Sequence, residues 1–193
     1  MITGSDIRNL FYSNGKCVKE KFIEQTFNNI ICHIYPNTKI GKTFGFHSIK
    51  INSEVHTDGI IQFSTGKWVL QECKRDIGFK SVNTPRAFLQ SMCYLSKIYD
   101  DVSIFSIKDF KGIFLDSARF FCYIKAEDIT PLMSEFIKLY NAFDTPRPSA
   151  AYNTPCLDKW SIATFKDLSK MVFSLDETFR FNSFIEDLYN NKI

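Results

Sequence analysis

Asp58, Glu72 and Lys74, followed by Gln90 and Tyr94, are the residues of this chain whose types and spacing could do chemistry together. The run Lys67 to Lys74 is rich in Trp, Val and Leu and reads as a strand, so Glu72 and Lys74 share one face. Upstream, His56 to Phe63 reads as its partner, joined through the three-residue loop Ser64-Thr65-Gly66. Gly66 suits the left-handed position that closes a type I turn with a bulge. In that register Phe63 faces Lys67 and, counting back along both strands, Asp58 faces Glu72. A two-residue turn would set Asp58 against Cys73 on the wrong face, because a one-residue slip flips every side chain.

Two carboxylates and an ammonium at the end of a hairpin interact at roughly 4 kcal/mol per pair at contact in a medium of intermediate dielectric. A divalent cation relieves the repulsion between the acids. Hard oxygen ligands suit Mg²⁺, with Mn²⁺ as a substitute, rather than zinc. Lys74 would then orient or help deprotonate the attacking water, or neutralise charge developing on a phosphate. The chemistry implied is metal-assisted phosphodiester hydrolysis. Blander readings stand beside it. Asp58 before Gly59 is also a turn signal. Glu72 and Lys74 could form an exposed ladder, although Trp68 and Leu70 share their face and put the charges at the rim of a buried surface. Gln90 and Tyr94, four apart, could be helix surface with a half-buried Tyr.

Periodicity supplies the elements that must hold these residues. Val18, Phe22, Thr26, Phe27, Ile30 and Ile31 recur at helical spacing, which predicts an amphipathic helix from about Cys17 to His33. Thr43 to Asn52 is β-rich, and the hairpin follows. Thr84-Pro85 is a cap followed by Pro at the first helical position, opening a helix to about Tyr99 with Phe88, Met92, Leu95 and Tyr99 inward. Val102 to Ile107 reads as an apolar strand. The order is helix, three strands, helix, strand. Beyond it, Lys111-Gly112 marks a turn, and Ile113 to Leu115 with Arg119 to Ile124 make a further hairpin. Thr130-Pro131 repeats the cap-then-proline signature and starts a helix with Phe136, Leu139, Tyr140 and Phe143. The proline-rich segment Asp144 to Asp158 reads as a loop. Helices near Lys159 to Met171 and Asp176 to Tyr189 close the chain.

These residues and this order resemble the PD-(D/E)XK nucleases, in which an acid at the end of one strand and Glu-x-Lys on the next bind metal and hydrolyse DNA. Asp58 and Glu72-Cys73-Lys74 are the matching positions, and the resemblance implies that the backbone carbonyl of Cys73 completes the metal coordination. Gln90 and Tyr94 match the Gln-x-x-x-Tyr element of RecB-like members, which implies a role in positioning substrate. Thr57 stands where the family carries Pro. No Gly-x-x-x-His element is present, and His33, His47 and His56 are scattered. Glu72-Cys73-Lys74-Arg75-Asp76, then Pro85 and the Gln90 helix, also resembles nuclease domains fused to DNA methyltransferases in some restriction enzymes. The fold implied is α/β: a restriction-endonuclease-like αβββαβ core with a mixed central sheet flanked by helices, plus C-terminal helices. The partners implied are DNA and either a second copy of the chain, as a homodimer, or a DNA methyltransferase, as a fusion or partner. The resemblance covers roughly the first two-thirds of the chain, and its motif is short. Glu20 and Glu24 are candidates for an additional acid near the metal, with Glu20 closer to the apolar edge of its helix; otherwise they are a solvated face. Two other readings remain: a non-catalytic DNA-binding or interaction module that kept the fold, and a RecB-like repair exonuclease.

A chain of 193 residues with 45% hydrophobic content can bury the core of one domain, with the nuclease core over about 16–125 and a helical extension over about 126–193. No apolar run is long enough to span a bilayer and the N-terminus lacks a signal-peptide layout, so a cytoplasmic protein without membrane contact is expected. Cysteines 17, 32, 73, 93, 122 and 156 have no metal spacing and lie mostly within apolar runs, which suits reduced thiols. The formal charge of +3 neither demands nor excludes nucleic acid, but Lys74, Arg75, Lys80 and Arg86 flank the acids and could meet phosphates. Gly41-Lys42-Thr43 imitates the end of a phosphate-binding loop, yet Pro36 stands where that loop needs Gly. No serine nucleophile elbow, triad or zinc spacing is present.

Overall fold

The chain's most continuous apolar runs become the inner strands of one mixed sheet, as expected for strands buried on both faces. A computed structural model describes residues 4–34, 39–40, 57–63, 65–75, 83–100, 106–142, 154–168 and 172–174. In chain order the elements are α1 (Gly4–Phe11), β1 (Tyr12–Ser13), β2 (Lys16–Cys17), α2 (Glu20–Ile34), β3 (Lys39–Ile40), β4 (Gly59–Gln62), β5 (Trp68–Lys74), α3 (Asn83–Asp100), β6 (Phe110–Ser117), β7 (Phe120–Lys125), α4 (Ala126–Ala142), α5 (Pro155–Leu168) and β8 (Val172–Ser174). Strands β3 to β8 lie side by side in sequence order. Among the described strands, only the β5–β6 pair is parallel. A parallel neighbour requires a crossover, and α3 lies within it.

Alternation along β5 sends successive side chains to two separate cores. Trp68 and Leu70 join Ile113 and Leu115 of β6 against Phe88, Met92 and Leu95 of α3, with α4 and α5 behind. Val69 and Cys73 face the other way, with Phe114 and Phe121, onto Ile7 and Phe11 of α1 and Ile23 and Phe27 of α2. On that side the Phe27 ring lies 5.7 Å from Phe11 and 5.5 Å from Phe121. Each fully buried aromatic or aliphatic side chain contributes about 1.5–3 kcal/mol relative to exposure, so both faces hold β5 firmly. The expected fold class is observed at this level: α/β, with a mixed sheet flanked by helices on both faces.

Several boundaries differ from the sequence expectation. Helix α2 begins at Glu20, not Cys17, because Lys16 and Cys17 pair with Ser13 and Tyr12 across Asn14-Gly15. Both turn residues have positive φ, 52° and 73°, the conformation that Asn-Gly favours in a two-residue hairpin. The stretches 43–52 and 102–105 lie outside the described residues, as does the helix expected over 176–189. Ile107, expected to end a strand, opens a short 3-10 turn, and the strand after α3 is β6. Lys111-Gly112 is therefore not a turn but part of that strand. Trp68 pairs with Phe110 and Val69 with Gly112, so Lys111 is an extra residue in the ladder, a bulge that the glycine permits. The Tyr123 hydroxyl donates to the Lys111 carbonyl at 2.5 Å and pins it.

Helix α4 opens at Ala126, a turn before Thr130-Pro131, with Glu127 and Asp128 in its first turn, where acids complement the helix dipole. Pro155 starts α5 inside the segment expected to be loop. Val172–Ser174 pairs with β7, so the sheet continues into the region expected to be a purely helical extension.

Gly112 has φ 152°, and a Cβ there would collide with the Ile124 carbonyl and lie 2.6 Å from the Tyr123 ring. Gly112→Ala is expected to destabilise the protein by about 2–3 kcal/mol, read from the urea unfolding midpoint.

Candidate active site

The hairpin closes as its glycine predicts. Phe63 N–H donates to the Lys67 carbonyl at 2.8 Å, Gly66 N–H donates to the Phe63 carbonyl at 2.9 Å, and Gly66 has φ 84°. From that turn the ladder runs Gln62 to Trp68, Ile61 to Val69, Ile60 to Leu70 and Gly59 to Gln71. The ladder ends there, and continuing its count by one rung aligns Asp58 with Glu72. The Asp58 carboxylate accepts the Cys73 backbone N–H at 2.7 Å, closing the end of β4 onto β5.

Glu72 and Lys74 share the α3 side of the sheet, as the alternation requires, and their side chains form an ion pair. Glu72 is 1% exposed and Lys74 25%. The second Glu72 oxygen, Oε2, is buried with no hydrogen-bond partner among the described residues. Such a group costs about 1–3 kcal/mol. Burial, and after it the charge of Asp58, push the Glu72 carboxyl up to about 8, against the opposing pull of Lys74. For Lys74, burial works against the charged form, and the charge and hydrogen bond of Glu72 outweigh it, leaving the ammonium at about 12. Among the described residues, one ammonium is thus paired with Glu72 and also feels the charge of Asp58.

Helix α3 presents Gln90 and Tyr94 on one stripe, with Gln90 Nε2 donating to the Tyr94 hydroxyl at 2.7 Å. Burial first, then the charge of Glu72, raise the Tyr94 hydroxyl above its ordinary range, and Asp58 and Lys74 also act on it. These five residues therefore form one electrostatic cluster. Glu20, at the start of α2, reaches the same strand end, where Oε2 accepts the Arg75 N–H at 3.0 Å. Its charge adds weakly to the rise at Glu72.

The neighbouring cations divide. The Arg75 guanidinium donates to the Cys17 carbonyl at 2.7 Å, fastening the N-terminal hairpin to the end of β5. Arg86 pairs with Asp158 of α5 at 3.2 Å and braces α3. Lys80 lies outside the described residues. The Cys73 side chain points to the α2 side, away from Glu72 and Lys74, and burial followed by the charge of Asp116 raises its thiol well above the ordinary value. Only its backbone could serve a metal. Among the described residues, no three His, Cys, Asp or Glu side chains are grouped to hold a metal ion.

Sequence reasoning missed a second polar group behind the strand. Asp116 of β6 lies beside Cys73 in the parallel ladder, and Gln71 Nε2 donates to its Oδ2 at 2.7 Å. Gln71 and Asp116 are both fully buried, and burial pushes the Asp116 carboxyl up to about 7. Polar residues at Gln71 and Asp116, inside otherwise apolar strand runs, were the available signal.

No family model, curated protein or solved structure matches this chain. No helix among the described residues is long and apolar enough to cross a membrane.

Glu72 and Asp116 both have folded-state pKa values above their ordinary ones, so each favours the folded state while protonated. That stability is complete below about 4 and is lost as pH rises through about 7 to 8. The Tm of the metal-free protein is expected to fall between pH 5 and roughly pH 8, and Glu72→Gln to flatten the part due to Glu72. A Tm rising over that interval would contradict the raised carboxyls of the two buried acids.

Proposed function

We propose that this chain is a Mg²⁺-dependent DNA nuclease of the PD-(D/E)XK type. One observation carries the reading: the hairpin register ends with Gly59 on Gln71 and the Asp58 carboxylate on the Cys73 N–H, beside Glu72, which pairs with Lys74 while its buried Oε2 has no hydrogen-bond partner among the described residues. The donor set fits a hard cation, since two carboxylates share one ammonium and Glu72 retains an unused acceptor. Asp58, Glu72 and the Cys73 carbonyl would hold Mg²⁺, and Mn²⁺ can substitute. Bound there, the ion supplies charge stabilisation at the phosphate and a more acidic water. Lys74 would orient that water or neutralise the developing phosphate charge, and Gln90 and Tyr94 would position substrate. Glu20, tied to the Arg75 amide, steadies the strand end.

The order α2, β3, β4, β5, α3, β6 supports a restriction-endonuclease-like core, with the site at the carboxyl end of the parallel pair β5–β6. A restriction-type endonuclease acting as a homodimer, or joined to a DNA methyltransferase, is the biological form proposed. Five free thiols among the described cysteines suit the reducing cytoplasm. A non-catalytic DNA-binding module would use the Glu72–Lys74 pair as a structural bridge and bind DNA without cutting it.

Wild type, Asp58→Ala and Lys74→Ala proteins are to be incubated with closed circular and linear DNA in Mg²⁺, Mn²⁺ or EDTA. Wild type is expected to cut only with metal, and each variant to lose about a hundredfold to a thousandfold in rate. Cleavage of the circle marks an endonuclease, whereas an exonuclease spares it. Equal metal-dependent cleavage by all three proteins would remove the assignment.

A further inference from the structure

We propose that Gln71 and Asp116 are positioning residues that hold the Asp58 carboxylate in place from the far side of strand β5. The role rests on the nuclease reading above, because Asp58 is there a metal ligand.

Asp58 is constrained through two neighbours. Its carboxylate accepts the Cys73 N–H at 2.7 Å, and the residue after it, Gly59, lies directly opposite Gln71. A Cβ built on Gly59 would stand 2.8 Å from Gln71 Oε1, so the Gln71 amide fills the space that a side chain at position 59 would take. Gln71 is in turn fixed by its 2.7 Å hydrogen bond to Asp116 Oδ2. Asp116 sits across the parallel ladder from Cys73, the residue whose amide holds Asp58. A single carboxyl thus backs both supports of the Asp58 turn.

Stability does not account for this pair. Both side chains are fully buried, and Gln71 Oε1 and Asp116 Oδ1 have no hydrogen-bond partner among the described residues. Apolar residues of similar shape at both positions would be neutral or stabilising, since replacing both members of a buried polar pair removes the desolvation cost along with the bond. An arrangement that costs stability and ends against a ligand-bearing turn is what a preorganised site requires.

The test compares wild type with Gln71→Leu/Asp116→Leu, Gln71→Met and Asp116→Asn, reading Tm, Mn²⁺ affinity by calorimetry and DNA cleavage. The double variant is expected to keep or raise its Tm yet bind Mn²⁺ at least about tenfold more weakly, with a matching loss of cleavage. Asp116→Asn keeps an acceptor for the Gln71 amide and is expected to recover most of the affinity. A folded double variant that binds Mn²⁺ as tightly as wild type overturns the positioning role alone. Should the double variant not fold, Gln71→Met, which keeps the side-chain length without the donor, is judged by the same criterion. Equal losses of Tm and affinity in every variant, Asp116→Asn included, would mean packing only and also overturn it. Wild type that takes up no Mn²⁺ and cuts nothing brings down the nuclease reading, and the positioning role with it.

Discussion

The alignment of β4 on β5 is the constraint on which the site depends. Gly66 sets it by accepting a left-handed backbone, and everything toward the strand ends follows at two residues per repeat. A slip of one residue would set Asp58 against Cys73 or Gln71, on the other face, and the acid, acid, ammonium cluster would not exist. The two cores make that choice irreversible. Trp68 and Leu70 must enter one and Val69 and Cys73 the other, so a slipped strand would bury Glu72 and Lys74 among phenylalanines.

Strand β5 is a rod of changing character. Its first half is apolar on both sides and anchors it. Its last four residues are polar or reactive on both sides, with Glu72 and Lys74 toward α3, and Gln71 and Cys73 toward Asp116. Burial raises the carboxyls on either side, so the sheet carries its electrostatic tension at one edge of the parallel pair. Tyr94 feels the charge of Glu72 from above, and Glu20 holds the strand's exit through the Arg75 amide. Helices from both layers therefore converge on the same few residues.

Much of this was legible in the residues themselves, and the reasons for the rest are physical. The glycine at the end of Ser64-Thr65-Gly66 specified a turn type, a turn type specified a register, and the register placed Asp58; each step was local. Periodicity found α2 and α3 because their apolar stripes are long. It failed at Lys111-Gly112, where glycine serves a bulge between strands distant in sequence, a context that no window of residues contains. It failed again at Val172–Ser174, three residues whose pairing with β7 is decided by the sheet and not by their own pattern. Asn14-Gly15 was a readable hairpin signal masked by the helical spacing that begins at Val18. Gln71 and Asp116 escaped notice because their meaning depends on which partner lies across the ladder.

The mixture of local and distant pairing divides the site in time as well as in space. Hairpins of this kind close within roughly 1–10 μs, so Asp58 and Glu72 can meet early from residues adjacent in the chain. The wall behind them, β6 with Asp116, must wait for a crossover containing α3, and such non-local pairings are slow. A newly made chain would thus hold its two acids together before their supporting floor is in place, which makes the joining of β6 the event that turns a loose hairpin into a rigid pocket.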